Sequence, residues 1–269
     1  MNGLLYIALG ASYLDEARRS AASAKVANPG LATAVVTDQA IEADADFDHV
    51  LAHEAPALSG DERFLARDRT AYFLKILPLL RSPFERTIFL DTDTWVSGDL
   101  GPAFELMSRF DLLVTPAHIV RDYAFERDEA PFSEVPDAFG YFNSGFFGFR
   151  RGEATRGFIE VWQSLYEGET RRFTVNDQPA LRLALWRERQ ASFHVLPTAY
   201  NIVSWAPFVV PGGGRVVVLH GRNPWLQRWA AHFRADRPAI VGTLNLPLLA
   251  RYHLARALNA ARRLLRQGK

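Results

Sequence analysis

Two carboxylates one residue apart, Asp91 and Asp93, directly follow the apolar run from Thr87 to Leu90. If the chain turns there, both can face one divalent cation, because hard divalent ions take carboxylate and phosphate oxygens together. A cation held in this way neutralises a diphosphate as it becomes a leaving group. An Asp-x-Asp triplet is common by chance, and two solvated loop aspartates are the plain alternative. Its place at the end of a buried strand is what gives it weight.

Far downstream, a second apolar run, Val216 to Leu219, ends on His220, followed by Gly221 and Arg222. A neutral imidazole can complete an oxygen-rich metal site. Gly221 lets backbone approach a phosphate closely, and Arg222 suits phosphate oxygens. Taken alone, a strand-end histidine is more simply a satisfied structural residue. The other six histidines have no comparable setting.

One polar cluster could hold a sugar, and a second marks the start of a helix. Asn143, Ser144 and Gly145 stand before the aromatic run Phe146 to Phe149; the first two can hydrogen-bond hydroxyls, and Gly145 leaves room for a ring. The same residue types also favour a turn entering a strand. Asn176, Asp177 and Gln178 precede Pro179 and a helical pattern. Asn176 or Asp177 would serve as its cap, which accounts for Asp177 but not for Gln178.

Alternating elements must position these groups. Leu4 to Leu9 reads as a buried strand, Leu14 to Ala27 as an Ala-rich helix stopped at Asn28, Pro29 and Gly30, and Leu31 to Val36 as a second strand. A helix is expected from Phe64 to Leu80, with Pro78 ending or kinking it, before the strand Thr87 to Leu90. This β-α-β-α-β order implies a mostly parallel sheet covered by helices, with ligands outside the carboxyl ends of its strands. Asp38 and Asp91 both lie at such ends. In the second half, Leu112 to Thr115, Phe146 to Arg150, Phe193 to Leu196 and Val216 to Leu219 read as strands, and Glu153 to Tyr166 and Pro179 to Trp186 as helices. Ile119 to Phe139 reads as a long loop of the kind that is usually functional.

The 269 residues are 48% hydrophobic and 23% charged, which is globular composition. The net charge of +1 gives no basis for a general nucleic-acid binder. The absence of cysteine excludes thiolate zinc sites, disulfides and cysteine nucleophiles. No signal peptide and no apolar stretch near the roughly 20 residues of a membrane span is visible, so the expectation is a cytoplasmic protein. The expected division is a catalytic domain over 1–236 and a basic helical extension over 237–269. Leu254, Leu258, Ala261 and Leu265 fall at helical spacing among arginines, and no acidic residue follows Asp236. Such a helix either packs on the domain or makes peripheral contact with the inner face of an anionic membrane.

The ordered series of motifs resembles glycosyltransferase family 8 and its relatives, the group containing glycogenin and bacterial lipopolysaccharide galactosyl- and glucosyltransferases. The likeness runs from Tyr6 to Leu9, through Phe73 to Leu77 with Lys75, Phe89 to Thr94, and Phe142 to Gly145. It continues with Asn176 to Gln178, Leu196 to Asn201, and His220 to Trp225. It implies the GT-A fold, a Rossmann-like α/β nucleotide half with a mostly parallel central sheet flanked by helices, fused to an acceptor half. It also implies a UDP-sugar donor, Mn²⁺ (or Mg²⁺), retention of configuration, and a saccharide, lipid-linked or protein acceptor. Asp91, Asp93 and His220 match the family's metal ligands, and Lys75 a lysine near the donor phosphates. Asn143, Ser144 and Gly145 match donor-sugar contacts, and Asp177 and Gln178 the pair beneath the transferred sugar. Ala8 to Tyr13 falls where the family holds uridine. Thr92, Gly221 and Arg222 complete the expected donor set.

The chain departs from the family in two places. Asn223 stands where members often carry a lysine, leaving Arg222 to supply that charge. Gly10, Ala11 and Ser12 replace an acidic or Asn residue after the first strand, which opens the choice of nucleotide base. Three rival readings are a haloacid-dehalogenase-type phosphatase, a silent sugar-nucleotide-binding module and a nucleotidyltransferase. Trp95 sits where the phosphatase pattern has Thr or Val, and the first loop lacks the Gly-rich basic signature of a nucleotidyltransferase. Silence sits poorly with a full set of carboxylates, His220 and Gln178.

Overall fold

The computed structural model describes residues 1–53, 75–117, 130–170, 176–203 and 216–222, together with the backbone of 208–210 and 239–241. The chain opens with β1 (Asn2–Ala8), α1 (Ala11–Ala27), β2 (Ala32–Thr37) and β3 (His49–Ala52). There follow β4 (Arg86–Leu90), β5 (Thr94–Val96), α2 (Gly101–Leu106) and β6 (Leu112–Pro116). The second half holds β7 (Phe142–Arg150), α3 (Glu153–Leu165), α4 (Gln178–Arg187), β8 (Phe193–Val195), β9 (Ile202–Val203), β10 (Phe208–Val210), β11 (Val218–His220) and β12 (Ala239–Val241).

Seven strands form one sheet in the order β3-β2-β1-β4-β7-β6-β8. β1 pairs in parallel with both β2 and β4, and β6 with β8. Only β7 runs against its neighbours β4 and β6. The order reverses between β1 and β4, and at such a point the flanking loops splay apart and leave a crevice at the strand ends. A second sheet has the order β5-β11-β9, and β10 pairs with β12.

Both faces of the large sheet are covered, so its strands read as near-continuous apolar runs. Leu5, Phe89, Phe147 and Phe149 face the cluster built with Phe158 and Trp162 of α3 and Leu181 and Leu185 of α4. Leu4, Tyr6, Ala8, Ile88 and Leu90 face the opposite cluster, with Ala17, Ala21 and Ala24 of α1 and Phe104 of α2. The alanines of α1 are why that helix can lie close to the sheet. Among the described residues, no helix is long and apolar enough to cross a membrane.

Several expectations shift. The polar triplet Asn143 to Gly145 lies inside β7, not in a turn before it. The reason is a bulge: the β6–β7 register passes from Val114 opposite Phe147 to Thr115 opposite Asn143, leaving Ser144 to Phe146 unpaired on that side. On the other side β4 still holds them, since Asp91 N–H donates to the Gly145 carbonyl. The segment around Pro78 is a short 3₁₀ turn, Leu77–Arg81, with the proline in its first turn, where a missing N–H is tolerated. The rest of the helix expected over 64–80 lies largely outside the described residues. β11 begins at Val218, two residues later than expected. The C-terminal helix, and with it the domain boundary at 236, also lies outside the described residues.

Candidate metal and donor site

β4 delivers Asp91 to the crevice, and the loop then turns back at once into β5. Thr94 Oγ1 closes that turn by donating to the Asp91 carbonyl at 2.8 Å. Ser20 of α1 braces it from below, its hydroxyl 2.7 Å from Thr94 Oγ1. β5 then pairs antiparallel with β11, with Thr94 opposite His220. Gly221 extends this ladder by donating its N–H to the Asp93 carbonyl at 2.8 Å, in a left-handed conformation (φ 119°) that favours glycine. A three-residue strand pair therefore carries His220 across 127 residues of sequence to the acidic loop.

The result is a convergent triad. His220 Nε2 lies 3.3 Å from Asp93 Oδ1 and 3.6 Å from Asp91 Oδ2. One ligand atom from each of the three lies within 4.8 Å of the others. Octahedral binding at about 2.1 Å places neighbouring ligand atoms about 3 Å apart, so the spacing suits a small divalent ion. The ring's orientation also fits. His220 Nδ1 is 2.9 Å from Asn201 Oδ1, an atom that only accepts, so Nδ1 carries a proton and Nε2 is the ring atom turned toward the carboxylates. Asn201 is fixed in turn by donating to Thr115 Oγ1 and Asn143 Oδ1.

Gly145 is part of this geometry. A Cβ there would lie 2.2 Å from His220 Cε1 and 2.8 Å from Asp91 Oδ2. The space expected for a sugar ring is thus filled by the triad itself. Burial works against charge on His220, but Asp93 and Asp91 outweigh it and hold the imidazole pKa above its ordinary value. Burial pushes Asp93 the other way, and the His220 hydrogen bond, with His220 and Arg222 charge, holds its carboxyl below the usual range. The two shifts are those of opposite charges held in contact: the carboxylates favour the charged imidazole, and His220 and Arg222 favour the charged carboxylate.

A cavity of about 250 Å³ opens beside the triad. Lys75, Asn143, Ser144, Gln178 and Arg222 line it with the triad, as do Tyr13 and Thr92. Ile7, Leu9 and Phe89, which lie within the motif blocks, supply its apolar wall. Ala8 does not line it: successive strand residues face opposite ways, and Ala8 is buried against α1. Gly145 and Gly221 are not among the residues that line it.

Lys75 is nearly buried between two carboxylates, 3.3 Å from Asp91 Oδ1 and 3.3 Å from Asp177 Oδ2, and it donates to Ser144 Oγ at 3.0 Å. Ser144 Oγ donates to Asp177 Oδ1 at 2.9 Å. Asp177 is 0% exposed and does not reach the cavity. Its side chain does not cap α4; Asn176 Oδ1 accepts the Gln178 N–H instead, at 3.1 Å. Burial, opposed by Lys75, raises the Asp177 pKa. Gln178, at the start of α4, is the one of the pair that faces the cavity.

Arg222 stacks over the Tyr13 ring, 5.3 Å from its centroid. Glu16, one helical turn beyond Tyr13, accepts from Arg222 Nε at 2.7 Å and from Nη2 at 3.1 Å. Nothing in the local sequence marks Glu16, because its partner is 206 residues away.

Among solved structures, the galactosyltransferase LgtC in complex with donor and acceptor sugar analogs is similar at a TM-score of 0.60 and 15% identity, covering 86% of this chain and 94% of that one. An active-site mutant of LgtC matches at 0.61, with the same identity and coverage. Mouse xyloside xylosyltransferase 1, in its apo form, matches at 0.53 and 16% identity over 82% of this chain and 98% of that one. No protein-family model and no curated protein matches the chain. At such identities the likeness is one of fold, and the chain has the GT-A fold of these structures.

Proposed function

We propose that the chain is a metal-dependent glycosyltransferase that moves a hexosyl unit from a nucleotide-diphospho-sugar, a UDP-sugar, to an acceptor hydroxyl with retention of configuration. The observation that carries this is the meeting of Asp91, Asp93 and His220 at the sheet's switch point, beside a cavity lined by Lys75, Gln178 and Arg222. The fold supports it.

Asp91, Asp93 and His220 would hold Mn²⁺ (or Mg²⁺), which when bound supplies positive charge to both donor phosphates. Lys75 adds a fixed charge on one side and Arg222 on the other. These groups are already oriented by Asp177, Ser144 and Glu16, so little reorganisation accompanies charge build-up on the leaving diphosphate. Asn143 and Ser144 offer hydrogen bonds to sugar hydroxyls.

The burial of Asp177 favours one of the two routes to retention, same-face transfer over double displacement. Both of its oxygens face protein groups, so it is poorly placed to attack the anomeric carbon. Gln178 is neutral and serves instead to steady oxocarbenium character from below. The acceptor oxygen then bonds to the anomeric carbon on the face from which the phosphate oxygen departs, and the acceptor proton passes to that phosphate.

The test is turnover of UDP-, GDP- and TDP-sugars with Mn²⁺, with the anomeric configuration of the product read by NMR. Metal-dependent turnover with retention supports the proposal. Turnover with inversion overturns the stereochemical part, and no turnover or hydrolysis of any sugar nucleotide overturns the whole.

A further inference from the structure

Glu16 belongs to no motif, yet it joins three parts of the site. Its Oε1 accepts from Arg222 Nε at 2.7 Å, and its Oε2 from Arg222 Nη2 at 3.1 Å and from Thr92 Oγ1 at 2.9 Å. Thr92 lies between the two carboxylates of the triad, and Arg222 lies two residues beyond its histidine. One side chain of α1 therefore ties together the two loops that bring the ligands.

The choice of guanidinium edge is informative. An arginine presents a planar fork, and a carboxylate that takes the Nε–Nη2 edge leaves the Nη1 edge free to face elsewhere. Nη1 lies 3.8 Å from Asp93 Oδ2, on the triad side. The Tyr13 ring supports the flat face of the same group. Tyr13 and Glu16 are three residues apart, hence on one face of the helix, and form a seat with a floor and a back. Arg222 itself is 58% exposed, and an arginine that open would otherwise sample many rotamers.

We propose that Glu16 is a positioning residue: it seats Arg222 so that its Nη1 edge projects over the metal triad, toward the place where a donor diphosphate would sit. This rests on the transferase reading above, and it assigns Arg222's aim to α1 instead of to the loop that carries it.

The experiment is a double-mutant cycle on binding of Mn²⁺ with UDP, GDP or TDP, using whichever the wild type binds, followed by calorimetry. A well-placed hydrogen bond to a charged group is worth about tenfold or more in affinity. Glu16→Ala and Arg222→Ala should each weaken binding by about that factor, and the double variant should bind no worse than Arg222→Ala alone. Glu16→Gln can still accept from Thr92 but cannot bracket the guanidinium with two oxygens, so it should resemble Glu16→Ala. In turnover, the Glu16 variants should raise the donor KM more than they lower kcat. Wild-type affinity in Glu16→Gln, or losses that add in the double variant, would overturn the assignment while leaving the transferase reading intact. A wild type that binds no nucleoside diphosphate with Mn²⁺ would overturn both.

Discussion

His220 Nδ1 and Asn201 Oδ1 lie 2.9 Å apart, and that contact turns the other ring nitrogen toward Asp91 and Asp93. Asn201 orients the proposed metal site through His220 without being one of its three ligands. Losing such a partner typically costs about 10–100-fold in metal affinity. Asn201→Ala should weaken Mn²⁺ binding by about that much, measured by calorimetry on the folded variant. Unchanged affinity would show that the ring needs no such support.

Gly145 and Gly157 make a paired prediction. Gly145→Ala puts a methyl group 2.2 Å from His220 Cε1, so it should abolish Mn²⁺ binding. Gly157 lies within α3 and a Cβ there meets nothing within 4 Å. Gly157→Ala should stabilise the protein by about 0.5–1 kcal/mol, through helix propensity alone, and leave metal binding as it was. Denaturant unfolding and calorimetry together separate the two effects.

Neighbouring residues Asp177 and Gln178 should respond to different assays. Asp177→Ala removes a buried partner of Lys75, and breaking a buried pair costs about 3–5 kcal/mol, less where the survivor keeps a second carboxylate as Lys75 does in Asp91. A loss near about 3 kcal/mol by denaturant unfolding is expected. Gln178→Ala should stay within about 0.5 kcal/mol of wild type, as substitutions away from buried networks do, and should lower kcat more than donor affinity. If Gln178→Ala instead abolishes donor binding with kcat unchanged, its role is recognition.

Asp111 clips the far edge of the sheet, accepting from Arg150 of β7 and from Ser192 N–H and Oγ ahead of β8. Partial burial raises its pKa, but these hydrogen bonds outweigh it and hold the carboxyl below the ordinary 3.8. A depressed folded-state pKa contributes stability above the unfolded value, lost as pH falls through the folded one. Asp111→Asn should therefore be less stable than wild type at pH 6, and the gap should shrink as pH drops below 3.8. A gap unchanged down to pH 2.5 would contradict the ionic role.

Much of the site can be seen in the sequence because strand ends are easy to see. Asp91 and His220 each terminate an apolar run, and the parallel order of the early strands points their ends to one side. What stays hidden is pairing between distant segments. β5 is three residues long, too short for any periodicity to show, yet it is what sets His220 beside Asp93. The bulge that aims Asn143 and Ser144 depends on β6, so the triplet reads as a turn when seen alone. Asn201 closes the Leu196 to Asn201 block, but its role runs through a partner 19 residues away; Glu16 belongs to no motif and acts through a partner 206 residues away.

The central claim is that Asp91, Asp93 and His220 hold one divalent ion together. Titration of Mn²⁺ into the purified chain, followed by electron paramagnetic resonance of the free ion, tests it most directly. One ion should bind per wild-type chain, and that site should disappear in both Asp93→Ala and His220→Ala while each variant stays folded. Retention of the same stoichiometry and affinity in either variant would contradict it.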